Sequence, residues 1–215
     1  MADFISTSDD GPVRTLTMSN PGSKNAVPSS GWVELADAFS EFESSDQRAL
    51  VVGGADGDFC AGADLSQDLI TAPSAADNIA RMRRTHSAAI ALHRLSKPTV
   101  AAVDGVAVGA GMNLAIGCDI VIASDRARFS EIFVKRGLTV DFGGSWLLPR
   151  LVGLARAREL ALTGRIFGAQ EALEIGLVSQ VVSQDDLADR ANDVAHSLAL
   201  GAPLAQSIIK RAMDR

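Results

Sequence analysis

Short apolar runs alternate with helical patterns along most of this 215-residue chain, and that alternation narrows the fold more than any other feature. Residues 4–8 and 13–18, around Asp9-Asp10-Gly11-Pro12, predict a β-hairpin. Pro28-Ser29-Ser30 opens an amphipathic helix to about Phe42, with Trp32, Leu35 and Phe39 on one face. Residues 49–53 read as a buried strand, 74–95 as a long helix, and 99–103, 120–123 and 127–130 as further short strands. From Glu131 onward helical patterns dominate, with one strand candidate at 177–182. Strands alternating with helices predict an α/β fold with largely parallel pairing.

Two runs of small residues interrupt this alternation, Phe59-Cys60-Ala61-Gly62-Ala63-Asp64 and Gly105-Val106-Ala107-Val108-Gly109-Ala110-Gly111-Met112-Asn113. Each follows an apolar β-like run. Backbone without bulky side chains approaches a ligand closely and aims its N–H groups at an oxygen. Two such groups converging on a carbonyl oxygen would form an oxyanion hole, often the largest single term in carbonyl chemistry. Tight turns with close packing are the competing reading, and spacing alone leaves both open.

Composition excludes several classes. The chain is long enough for one domain with a sizeable core, or a domain plus an appendage. Its 47% hydrophobic and 21% charged residues are ordinary for a globular protein. A formal charge of −6 argues against a general nucleic-acid binder. The basic clusters at 81–84 and 210–215 read as solvated helix faces. No apolar run reaches the ~18–20 residues that cross a bilayer. The start, Met1-Ala2-Asp3-Phe4, has no signal-peptide pattern, so a cytoplasmic protein is expected. Cys60 and Cys118 read as free thiols. His86, His93 and His196 show no metal-ligand spacing, so no metal is expected. Gly109-Ala110-Gly111-Met112-Asn113-Leu114 lacks the third glycine of a dinucleotide fingerprint, and no Walker-type lysine follows any glycine run. Gly143-Gly144-Ser145-Trp146-Leu147 is not a hydrolase elbow, because no glycine closes it.

Five segments in order carry a resemblance that spans the chain from its first strand pair to Arg215. They are Ser23-Lys24-Asn25-Ala26, residues 59–65, Lys97-Pro98-Thr99-Val100-Ala101-Ala102-Val103-Asp104-Gly105, residues 109–119 and residues 129–151. On these the sequence resembles the crotonase family, the enoyl-CoA hydratases and isomerases. The resemblance implies a crotonase-like spiral of repeated β-β-α units in residues 1–200, then a helical C-terminal region beginning at 201–215. It implies an acyl-CoA thioester as ligand, no cofactor beyond the coenzyme A of the substrate, and assembly as a homotrimer or a dimer of trimers. Apolar residues of the late helices, such as Leu160, Leu162 and Ile166, are candidates for that contact. Family members usually continue for some tens of residues past a helix like the last one here; whether that region is shortened or continues past Arg215 stays open, and with it the lid, part of the acyl pocket and part of the trimer contact.

The family's two oxyanion donors match the N–H groups of Ala63 and Ala110, with alanine at the second position where glycine is frequent. Ala61, Gly62, Asp64, Leu65 and Ser66 match the strip along the acyl-CoA, and Lys24, Asn25 and Ala26 the coenzyme A groove; Gly109 belongs to the second oxyanion run. The two glutamates of family hydratases are missing: Asn113 stands at the first position and Phe133 at the second. Asp141, in Val140-Asp141-Phe142-Gly143-Gly144, matches the Asp-x-Gly-Gly of members that shift double bonds, such as the ring-opening isomerases of phenylacetate breakdown. There the aspartate is the proton shuttle, the role the resemblance favours for Asp141 over the competing reading, a cap on the helix that follows. Glu131 is the reserve candidate, two residues from the hydratase position and aimed elsewhere if the segment is helical. Phe133, Trp146, Phe142 and Leu138 are candidates for an apolar acyl pocket. Three functions follow: an isomerase using Asp141, a hydratase using Glu131 or Asp141 with Asn113, and a non-catalytic acyl-CoA or fatty-acid binder.

Overall fold

A computed structural model of the chain describes residues 3–65 and 74–213. The expected hairpin forms from β1 (Ile5–Asp10) and β2 (Val13–Met18), joined at Gly11, whose φ of +55° only glycine adopts cheaply. Helix α1 (Gly31–Ser44) buries Trp32, Leu35, Phe39 and Phe42, the face the sequence predicts. It starts after the Pro28-Ser29-Ser30 cluster, and the Ser30 side chain makes no cap bond. Strand β3 (Ala49–Gly54) follows. Helix α2 (Ala75–His93) is capped by the Ser74 side chain, which accepts from the Asp77 N–H.

Strand β4 (Thr99–Val103) then turns at Gly105 into β5 (Val106–Val108), which leads into α3 (Ala110–Ile116). Thus part of the second small-residue run is strand rather than loop. The same β-β step recurs in β6 (Ile120–Ser124) and β7 (Arg128–Ser130), followed by a 3-10 helix (Ile132–Arg136). Helices α4 (Gly144–Val152) and α5 (Leu154–Thr163), a two-residue strand β8 (Phe167–Gly168), and α6 (Ala169–Glu174) come next. Strand β9 covers only Gln180–Val182 of the segment expected, before α7 (Leu187–Ala199) and α8 (Pro203–Met213).

Six strands form one sheet in the order β1-β2-β3-β4-β6-β9, parallel except for the hairpin. The second sheet, β5-β7-β8, is extended by isolated bridges Cys60–Ala107 and Val27–Ala63. Both faces of the central strands β3, β4 and β6 are buried, which explains their continuous apolar runs. Leu16, Leu50, Val52, Ala101 and Val103 face the main core, while Val13, Val51, Val100 and Ile122 face α7. Ala191, Ala195 and Ala199 recur every four residues on α7, so that helix lies close on the sheet. Leu160 is buried inside this core, so it is no subunit contact; Leu162 and Ile166 are 72% and 64% exposed. No helix among the described residues is long and apolar enough to cross a membrane. Both cysteines are buried free thiols.

Candidate active site

The two small-residue runs meet. The Cys60 N–H donates to the Val106 carbonyl at 2.8 Å, and the Val108 N–H to the Cys60 carbonyl at 3.0 Å. A side chain at Gly62, whose φ is +88°, would put its Cβ 2.8 Å from the Val108 carbonyl and 3.5 Å from the Ala110 nitrogen. One at Gly111 would put it 2.2 Å from the Cys60 carbonyl. The residues are small because two backbones touch here.

That contact leaves two donors unused. Val27 is bridged on both sides of Ala63, its N–H donating to the Gly62 carbonyl and its carbonyl accepting from the Asp64 N–H. The Ala63 N–H therefore lies on the opposite edge, with no backbone acceptor among the described residues. Ala110 is the first residue of α3, after Gly109 at φ +57°, and its N–H also lacks a backbone acceptor among them. Ala63 lines a cavity of about 210 Å³ with Val27, Trp32, Leu65, Met82, Leu138 and Asp141. Arg81 also reaches this wall, so that basic cluster is not purely a solvated face.

Asp141 does not cap a helix. The N-terminal cap of α4 is Gly143, at φ +81°, and no side chain bonds there. Instead the turn is wound tightly behind Asp141, with Phe142 at φ +49° and buried against Trp32 at a ring separation of 5.5 Å. A left-handed non-glycine residue costs on the order of 1–2 kcal/mol, which this packing offsets. Burial pushes the Asp141 carboxyl up to about 6. Its Oδ1 is buried without a partner.

Asn113 and Glu131 stand beside it. The Asn113 amide donates to the Asp141 carbonyl at 3.0 Å, and its side chain fills the space over Gly144, where an added Cβ would come 2.3 Å from Nδ2. Glu131 was expected to point away. It instead precedes the 3-10 helix with φ −83° and ψ 64°, outside any helical periodicity, and turns inward to complete burial. Burial, reinforced by the Asp141 charge and opposed by Asn113, pushes Glu131 up to about 8. Neither of its oxygens reaches a partner in hydrogen-bond geometry.

Other expected residues sit elsewhere. Trp146 lines a separate cavity of about 390 Å³ with His86, His93, Phe142 and Asn113, and its ring stacks under Arg150. Phe133 is buried near Gly109 and lines neither of these two cavities. Lys24, at φ +50°, is exposed and gives its carbonyl to the Ala61 N–H. The Asn25 side chain is committed to the Ala55 and Asp58 carbonyls and the Asn20 N–H, so it holds the loop and not a ligand. Ala26 is buried next to it, and Asp64 and Leu65 line the Ala63 cavity. Ser66 lies outside the described residues. No group of three or more His, Cys, Asp or Glu among the described residues is placed to hold a metal.

A spiral of β-β-α units ending in helices is the crotonase fold, and solved structures match it closely. An enoyl-CoA hydratase from Polaromonas sp. JS666 superposes with a TM-score of 0.91 at 33% identity, over 98% of this chain and 82% of that one. The chain belongs to the enoyl-CoA hydratase/isomerase family, whose model matches residues 9–215. It is 39% identical to a 1,2-epoxyphenylacetyl-CoA isomerase of Escherichia coli, over 100% of this chain and 83% of the relative. It is 35% identical to a short-chain-enoyl-CoA hydratase of Clostridium acetobutylicum, over 96% and 79%. Enzymes of this family act on acyl-CoA thioesters, with coenzyme A in the substrate and no separate cofactor.

Proposed function

We propose that the protein isomerises a double bond in an enoyl-CoA thioester, with the N–H groups of Ala63 and Ala110 as oxyanion hole and Asp141 as proton shuttle. One observation carries the reading: of the two carboxyls that line the Ala63 cavity, Asp64 and Asp141, it is Asp141 that keeps a buried oxygen without a partner, while the two hydratase positions hold Asn113 and Phe133. The Asp141 carboxylate removes a proton from one carbon of the acyl chain. Negative charge then develops on the thioester oxygen, where two N–H groups stabilise it. The protonated Asp141 returns the proton at another carbon, so the composition of the substrate is unchanged and the base is regenerated. The apolar walls Val27, Trp32, Met82 and Leu138 suit an apolar acyl chain.

The likeness to a 1,2-epoxyphenylacetyl-CoA isomerase supports this reading, and the likeness to a short-chain-enoyl-CoA hydratase supports the substrate class. Assembly as a trimer or a pair of trimers belongs to the same proposal, with Leu162 and Ile166 as exposed apolar candidates for the contact. Mass spectrometry with chromatographic resolution of 2-enoyl and 3-enoyl thioesters is the test. Asp141→Asn should lower kcat by roughly 10²–10⁴-fold and leave thioester binding nearly intact. A product heavier by one water would make the enzyme a hydratase instead, and binding without turnover by wild type would make it an acyl-CoA binder.

A further inference from the structure

Four buried side-chain polar atoms among the described residues lack a hydrogen-bond partner: Asn113 Oδ1, Glu131 Oε1, Glu131 Oε2 and Asp141 Oδ1. They belong to one neighbourhood, since the Asn113 amide bonds the Asp141 backbone and Glu131 feels both residues. Native interiors leave few such atoms, so this concentration in one place calls for a physical cause. All four are acceptors. The Asn113 amide has one hydrogen left after its bond to the Asp141 carbonyl, and one hydrogen cannot serve all four oxygens, so the cluster must take in another. A proton on Glu131 supplies it at least cost, because it turns an orphan oxygen into a donor and removes a buried charge.

We infer that Glu131 is a positioning acid, a neutral carboxyl that donates a hydrogen bond into the Asn113–Asp141 pair and keeps Asp141 in place as the free base. This rests on the Asp141 reading above. Glu131 is fully buried and absent from the lining of the Ala63 cavity, so it works through its neighbours and not on substrate. Burial holds Glu131 near 8 and Asp141 near 6, so between those values Glu131 keeps its proton while Asp141 has lost its own. Pairs of carboxyls driven apart in this way divide the roles of acid and base. Asp141 is the charged group that acts on Glu131. Lys135 and Arg136 on the 3-10 helix, Arg128 on β7, and Arg156 and Arg158 on α5 are exposed, Glu159 on α5 is half-exposed and paired with Arg165, and α3 carries no titratable residue.

The test is the pH profile of kcat/KM on an enoyl-CoA thioester for wild type, Glu131→Gln and Asp141→Asn, beside a carbon-13 NMR titration of the side-chain carboxyls. Wild type should lose activity as pH rises past about 8, as Glu131 ionises. Glu131→Gln keeps a neutral donor, so it should retain KM and pH 7 activity within about tenfold and lose that alkaline limb. One carboxyl resonance, missing in the glutamine variant, should titrate near 8. An alkaline limb that survives in Glu131→Gln, or a Glu131 resonance that titrates in the ordinary carboxylate range, overturns the inference. If Glu131→Gln does not fold, Glu131→Met replaces it and must lose the limb as well. Full activity in Asp141→Asn would sink the proton-shuttle reading separately, while the NMR titration still reports on Glu131.

Discussion

Replacing Glu131 by Gln should stabilise the folded protein at neutral pH, an uncommon outcome for a fully buried polar residue. The ordinary carboxyl of the unfolded chain titrates at 4.5, and burial raises it to about 8 in the folded one. Between those values the folded state holds a proton that the unfolded state has released. For a group raised in this way, stability is fully present below the unfolded value and is lost as pH rises toward the folded one. Keeping the proton at pH 7 costs about 1.36 kcal/mol for each pH unit above 4.5, which sums to on the order of 3 kcal/mol. Glutamine carries no such cost, being neutral in both states, and its amide can donate to the orphan oxygens of Asn113 and Asp141. Asp141 is raised by burial too, but it titrates in both proteins, so most of its contribution cancels in the difference. Urea denaturation of the two proteins from pH 5.5 to 8.5 measures this. The advantage of Glu131→Gln should grow by about 1.4 kcal/mol per pH unit up to pH 7.5 and flatten above 8. Parallel stability curves, or a less stable variant at pH 7, would refute the claim that Glu131 is held neutral inside the fold.

Two further outcomes follow from packing. Gly144→Ala places a Cβ 2.3 Å from the Asn113 amide, so it should displace that side chain, cost about 1–3 kcal/mol in thermal or urea unfolding, and lower kcat more than it raises KM. Light scattering at high micromolar concentration should give a trimer or hexamer mass; a monodisperse monomer would remove the assembly proposal.

What the sequence made legible follows the range of the forces involved. The hairpin, α1, α2 and the strands of the large sheet come from local periodicity, and each formed within a few residues of its expected bounds. The meeting of the two small-residue runs was legible because a lack of side chains is itself a packing signal, and Gly62 and Gly111 leave no room for a Cβ. Strand β5 was hidden, since Val106–Val108 reads as part of a glycine-rich loop until β7 pairs with it. The cavity that Trp146 lines was hidden for a similar reason. The closeness of Trp146 to Asp141 in sequence says nothing about which side of the Asp141–Gly144 turn its ring faces, and the ring faces His93.

Glu131 is the most instructive case. Helical periodicity sent it away from the site, yet its backbone is not helical, and no sequence period applies to a residue entering a short 3-10 helix. Nor could the need for a proton be read from any one segment. Asn113, Glu131 and Asp141 come from the end of one β-β-α unit, the end of the next strand pair and the loop after it. Each alone is an ordinary polar residue, and only their juxtaposition leaves acceptors facing acceptors. A hydratase of this family places a glutamate at each of the positions that Asn113 and Phe133 hold here. This chain has neither, but it has two carboxyls in one buried cluster, one lining the cavity and one behind it. Burial separates their protonation states, so the pair provides a base and a proton-holding partner at neutral pH. On the proposed reading, proton transfer falls to Asp141 where the two hydratase glutamates are missing, and Glu131 behind it holds the second proton.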